Sequence, residues 1–159
     1  MALIKLGANA ITALPAGVGG KVLQVVQGTT TSTGSTTSSS DVTTNLSATI
    51  TPSSSSNKIL VIVSQTHFAV GSNPTCLAKL WRGTIGSGTE LGRKCFGSYG
   101  LSIELASPAD FCVLDTPSTT SATTYNTSVA FKAGSRVDYN VDRDSGTQKV
   151  TINLIEIAG

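Results

Sequence analysis

Gly17-Val18-Gly19-Gly20-Lys21 combines the residue types that cradle a phosphate: glycines whose N–H groups can converge, and a lysine to neutralise charge. The spacing removes that chemistry. Pro15 stands where the first glycine of such a loop belongs, and Val22 replaces the hydroxyl residue that follows the lysine. Asp142-Arg143-Asp144-Ser145-Gly146 has acidic spacing of the calcium-loop kind, without a third oxygen ligand before the glycine or a distal glutamate. It reads as a charged hairpin turn. His67 is the only histidine, so metal and triad sites that need two are excluded, and beside Phe68 it is expected to pack or cap. No Gly-x-Ser-x-Gly elbow occurs. Glu90, Glu104 and Asp110 show no spacing that specifies paired-carboxylate hydrolysis. Cys76, Cys95 and Cys112 form no Cys-x-x-Cys pair, which argues against structural zinc and for reduced thiols acting as small core hydrophobes. Trp81 offers a sugar-stacking face, but Leu77 and Leu80 beside it favour core packing. The chain therefore reads as non-enzymatic, with no cofactor and no metal.

The elements that must carry these residues are strands. The chain has 159 residues, within the range of one domain. Charged residues make up only 13%, and 44 positions are Thr or Ser, which suit strands and turns rather than helices. The net charge of +2 is scattered, and only Arg93-Lys94 places two basic residues side by side, so a nucleic-acid-binding face is not expected. The longest run of large aliphatics, Ile59–Val63, is far short of the roughly 20 residues a membrane helix needs. Lys5 and Asn9 interrupt the apolar N-terminus, which does not read as a secretory signal, and Asn45-Leu46-Ser47 and Asn126-Thr127-Ser128 carry no weight as glycosylation sites.

Residues 1–20 read as an arm and hinge: Leu3, Ile4, Leu6 and Ile11 supply apolar contacts, and Pro15 to Gly20 breaks regular structure. Such a piece should pair with a partner subunit or with the body of its own domain. The rest, 21–159, reads as one β-sandwich. Strands are expected at Lys21–Gln27, Asn45–Thr51, Lys58–Ser64, Cys76–Trp81, Glu90–Phe96, Tyr99–Leu105, Asp110–Asp115, Thr124–Lys132, Arg136–Val141 and Gln148–Ile157, with turns between. Leu101–Leu105 has a helical turn as its alternative. Gly28–Ser40 reads as a mobile surface loop, with a solvated edge strand as the other possibility. Tyr125, Thr127, Val129 and Phe131 should face inward and Asn126, Ser128 and Ala130 outward. In the last strand Ile152 and Leu154 share a face with Val150, while Ile155 and Ile157 fall on the other. That implies a bulge or a strand covered on both faces, and marks these four isoleucine and leucine residues as a subunit interface.

Leu14–Gln27, Leu46–Val61, Leu114–Tyr125 and the closing Thr151–Gly159 resemble a module of virion proteins of tailed bacteriophages, particularly phages of aquatic bacteria. The resemblance covers most of the chain from Leu14 onward. It implies a tail-fibre or other virion structural role with a trimeric β-rich knob, which fits the antiparallel, jelly-roll-like β-sandwich read from the strands, in a homotrimer made in the bacterial cytoplasm and carried on the virion. The arm would bind other virion proteins, and free-end loops would touch a host cell-surface glycan or protein. Gly71 and Asn73, Gly83 and Gly86, and Asp142 and Asp144 mark the candidate receptor-facing loops. The competing expectation is a capsid decoration protein; a polysaccharide depolymerase comes third.

Overall fold

Burial alternates along the strands as a two-residue period demands. Thr44, Leu46, Ala48 and Ile50 point into the core while the residues between them are exposed. The computed structural model describes residues 21–143 and 148–159, and every regular element among them is a strand. The strands are β1 (Val22–Thr30), β2 (Gly34–Thr36), β3 (Val42–Ile50), β4 (Lys58–Ser64), β5 (Thr66–Ser72) and β6 (Thr75–Arg82). They continue with β7 (Thr89–Gly97), β8 (Ser102–Pro108), β9 (Phe111–Asp115), β10 (Thr123–Ala133), β11 (Arg136–Tyr139) and β12 (Val150–Ile157). The arm residues Leu3, Ile4, Leu6 and Ile11, and Asp144 of the candidate turn, lie outside the described residues.

Three antiparallel four-stranded sheets are present, in the orders β1-β12-β4-β9, β2-β11-β5-β8 and β3-β10-β6-β7. The first two repeat one order, because β1 leads to β2, β4 to β5, β8 to β9 and β11 to β12. They are halves of a single four-stranded sheet bent across its middle, and the third sheet covers them. Eight long strands in two sheets with this connectivity form a jelly roll, as expected. At the bend, side chains replace the interrupted ladder. Gln65 Nε2 donates to Asn140 Oδ1 at 2.7 Å, and Asn140 Nδ2 donates to the Ser32 and Thr44 carbonyls at 2.9 and 2.7 Å. The Gln65 N–H donates to Asp110 Oδ1 at 3.1 Å. The bonds cross all four strands, so the bend leaves few backbone groups orphaned.

The larger apolar core lies on one side of that seam and includes Leu46, Ile50, Ile59, Val61, Leu80, Tyr125, Ile152 and Leu154. A smaller one on the other side holds Ala69, Cys76, Val129, Val137 and Tyr139, with Phe96 and Phe131 against it. Ile152 and Leu154 are therefore core residues of their own chain, not subunit-interface residues as expected. Only Ile155 and Ile157 face outward. No bulge interrupts β12 against β4, and the alternation simply continues, with Glu156 taking the inward position. Ile152→Asp should consequently abolish folding, lowering soluble yield and the circular-dichroism melt, whereas exposed Thr33→Asp should leave both unchanged.

Other expectations are corrected by tertiary contacts. Gly28–Ser40 is not a loop throughout: its first residues complete β1, Gly34–Thr36 form β2, and the Ser38 carbonyl accepts the Phe131 N–H at 2.8 Å. Hydroxyls hold the remainder, as in Ser38 N to Thr36 Oγ1 at 3.0 Å. Strand β5 had no expectation, and β8 starts at Ser102, which leaves Tyr99–Leu101 in a turn. Tyr125, Thr127 and Val129 do face inward, but Ser128 and Ala130 are buried as well. Over Ser128 lie Trp81, whose Nε1 donates to Ser128 Oγ at 2.8 Å, and Asp41, which accepts from it at 3.0 Å. All three cysteines are free, yet only Cys76 is a core residue; Cys95 and Cys112 are exposed.

Candidate receptor-facing tip

The fold sorts the loops to opposite ends. Lys21, where the described chain begins, lies beside the C-terminus, since the Ala158 N–H donates to its carbonyl at 3.0 Å. The turn Pro52–Asn57, the loop Gly83–Gly88 and the segment Thr116–Ala122 share this end: Gly159 N donates to Asn57 Oδ1, and Gly83 N to the Thr124 carbonyl. About 45 Å of strand away, along β4 and β5, the opposite end holds Gly71–Pro74, Ser98–Leu101 and Gly134-Ser135. Of the candidate receptor-facing residues, Gly71 and Asn73 are at this far end. Gly83 and Gly86 sit at the end where the chain enters, and Asp142 is on the flank, beside Arg143. The five of them that are described thus do not form one surface.

At the far end Asn73 organises the tip. It adopts φ +50°, a left-handed conformation that asparagine tolerates better than most residues. Its N–H donates to the Leu101 carbonyl at 2.8 Å, and its Oδ1 accepts the Gly100 N–H at 2.6 Å. The Ser98 N–H donates to the Pro74 carbonyl at 3.0 Å. Gly71 needs its glycine, because at φ +116° an added Cβ would run into Ser135. This frame holds out Tyr99, which is 94% exposed, with Leu101 and Ile103 beside it at 52% and 36%. Tyrosine presents a rigid ring and a hydroxyl at small entropic cost, which is why it recurs in binding hot spots. The sequence reading placed Tyr99 in a strand; the Gly97-Ser98-Tyr99-Gly100 pattern was the signal available for a turn.

The opposite end carries an open depression of about 550 Å³ bordered by Arg82, Gly83, Thr84, Pro117 and Thr119. Its cation is already matched. Arg82 Nη1 donates to both Asp115 oxygens at 2.9 Å, and the Tyr125 hydroxyl donates to Asp115 Oδ2 at 2.7 Å. Burial and that carboxylate push the Tyr125 hydroxyl up, so it remains a donor. Trp81 is unavailable as a stacking face: it is 6% exposed, with Lys79 Nζ 5.2 Å from its ring centroid. Asp138 on the flank holds Arg136 at 2.9 Å and Arg143 at 2.6 Å, and Arg143 also pairs with Glu104. Among the described residues no three His, Cys, Asp or Glu side chains gather as a metal-ligand set.

No protein-family model and no curated protein matches the chain. Among solved structures, the Eiger TNF of S. frugiperda is similar at 12% identity and a TM-score of 0.48, over 84% of this chain and 93% of that one. The infectious bursal disease virus Gt strain structure is similar at 15% identity and 0.43, over 86% of this chain and 38% of that one. The VP2 D431N mutant of the same virus gives 15% and 0.43, over 84% and 36%. This chain thus spans little more than a third of those viral chains, and its likeness to all three is distant.

Proposed function

We propose that the protein is a non-enzymatic structural component of a tailed-phage virion, a homotrimeric fibre module whose Tyr99 tip touches a host cell-surface glycan or protein. The observation that carries this reading is the exposed aromatic at the end of the sandwich opposite Lys21. An attached module must present its contact residues away from its point of attachment. The jelly roll recurs in virion and carbohydrate-binding proteins, and the sequence resemblance points the same way. Three linked tips, many times repeated on a particle, turn weak contacts into firm adhesion.

Tyr99→Ala should lower binding of the purified protein to host cells about thirtyfold, the loss expected at a hot spot, with an unchanged melting temperature because the ring is solvated. Light scattering should give three times the 16.2 kDa chain mass. Equal cell binding by the two proteins would remove the tip from adhesion. Binding to purified heads and not to cells would make the protein a capsid decoration component instead.

A further inference from the structure

The outward face of β1-β12-β4-β9 carries an apolar row that crosses all four strands. Val25 pairs with Ile155, Ile155 with Leu60, and Leu60 with Leu114. Val25 is 60% and Leu114 52% exposed. Towards Lys21 the row is extended by Val22 opposite Ile157, with Leu23 beside them. Towards the bend the face turns polar: Gln27 Nε2 bonds Asn153 Oδ1 at 2.8 Å, and beyond them come Thr29, Thr151 and Ser64. Ile62, 36% exposed between Asn153 and Cys112, is the one large apolar side chain of that row, so the greasy part of the sheet lies mainly in the half where the chain enters and ends at Ile62 and Cys112.

Size decides what fits it. Four strands and about five residues of length give a footprint of roughly 300 Å². A stable contact between two proteins takes roughly 800 Å² on each side. The patch is too small for a second copy on its own and matches an extended segment of about five residues crossing the four strands. Twenty residues precede Lys21, and the stretch carrying Leu3, Ile4, Leu6 and Ile11 is the apolar part of them. From Lys21 back to Leu14 the chain can reach about 24 Å, more than the sheet's width of roughly 15 Å. Pro15, Gly17, Gly19 and Gly20 lie between and allow the reversal.

We propose that this face is the seat of the chain's own N-terminal residues, with Ile4 and Leu6, which share a face in an extended segment, covering the row Val25–Ile155–Leu60–Leu114. The inference does not rest on the adhesion reading, whose test lies at the other end of the molecule. Cys112 provides the probe, since it stands opposite Ile62 on this face with a free, exposed thiol. Cys95, also free and exposed, lies on the other sheet and is the internal reference, while Cys76 is buried.

The experiment alkylates the full-length protein with iodoacetamide and follows each cysteine by mass spectrometry, with rates normalised to those of the denatured chain. In the wild type Cys112 should react about tenfold more slowly than Cys95, as a site covered by a docked segment does. The full-length triple variant Leu3→Asp, Ile4→Asp, Leu6→Asp should bring Cys112 to the rate of Cys95 and leave Cys95 unchanged. Equal rates in the wild type would overturn the proposal, because the face would then be bare. Protection of Cys112 that survives the triple variant, or that fades on dilution, would overturn it in favour of a second copy.

Discussion

Glu156→Leu should cost about 4 kcal/mol of folding stability, read from the urea midpoint at neutral pH. The Glu156 carboxylate is wholly buried at the end of β12 and accepts from four donors. Gln24 Nε2 reaches Oε2 at 2.5 Å; the Ser53 N–H, Ser53 Oγ and Asn57 Nδ2 reach Oε1 at 2.7, 2.8 and 2.6 Å. Burial alone would raise this carboxyl, but the hydrogen bonds from Gln24, Asn57 and Ser53 outweigh it and hold it down to about 2. Leucine would fill the volume and take the acceptor from four donors: the buried Asn57 Nδ2 costs about 1–3 kcal/mol when stranded, and the part-buried Ser53 and Gln24 groups less, since they can reach water and Gln24 Nε2 keeps the Thr51 carbonyl at 2.9 Å. Glu156→Gln keeps one acceptor and should cost about half as much. Equal midpoints for wild type and Glu156→Leu would show that the clamp contributes nothing. The clamp ties β1, the turn after β3 and the C-terminal strand together, since Asn57 also accepts the Gly159 N–H at 3.1 Å.

Acid should weaken the protein in two separable steps, the first set by His67. The imidazole is buried in β5, stacked 6.2 Å from Phe96, and neither ring nitrogen has a hydrogen-bond partner. Burial lowers its pKa from 6.5 to about 4. The unfolded chain therefore takes up a proton below pH 6.5 that the folded chain refuses until about pH 4. Stability is complete above pH 6.5 and declines across that window by about 3 kcal/mol. Glu156 contributes below it: its stabilisation is present above pH 4.5 and is lost as the pH falls towards 2. His67→Leu should flatten urea stability between pH 6.5 and 4.5 and raise it at pH 5, leaving the lower step in place. An unchanged slope in that variant would assign the decline to other groups.

Both residues show where sequence reading stops. The alternation Val150, Ile152, Leu154 is visible in the chain, but Ile155 and Ile157 after it read as a change of face, and nothing local marks the charged Glu156 between them as a core position. Only the turn Pro52–Asn57, a hundred residues away, supplies the donors that let a carboxylate occupy a core position. His67 was read as a packing residue, and it is one, but β5 around it was missed. Thr66-His67-Phe68-Ala69-Val70 is a strand because β11 and β8 flank it, not because its own pattern is strong.

Strand type, and most strand positions, were settled by the sequence itself, because period-two burial and turn residues are local properties that each segment carries. Fold class followed, since short alternating strands in number must pair and bury a face. The single strand between them already sends Gly71 and Asn73 to one end and Gly83 and Gly86 to the other, but which of those ends lies beside Lys21 was decided by the sheet order alone. Whether an apolar residue is core or surface was decided there too. Ile152 and Ile155 are alike in the chain, and only the covering sheet makes the first a core residue and leaves the second on an outer face. Those distinctions depend on partners distant in sequence, whose placement no local pattern encodes.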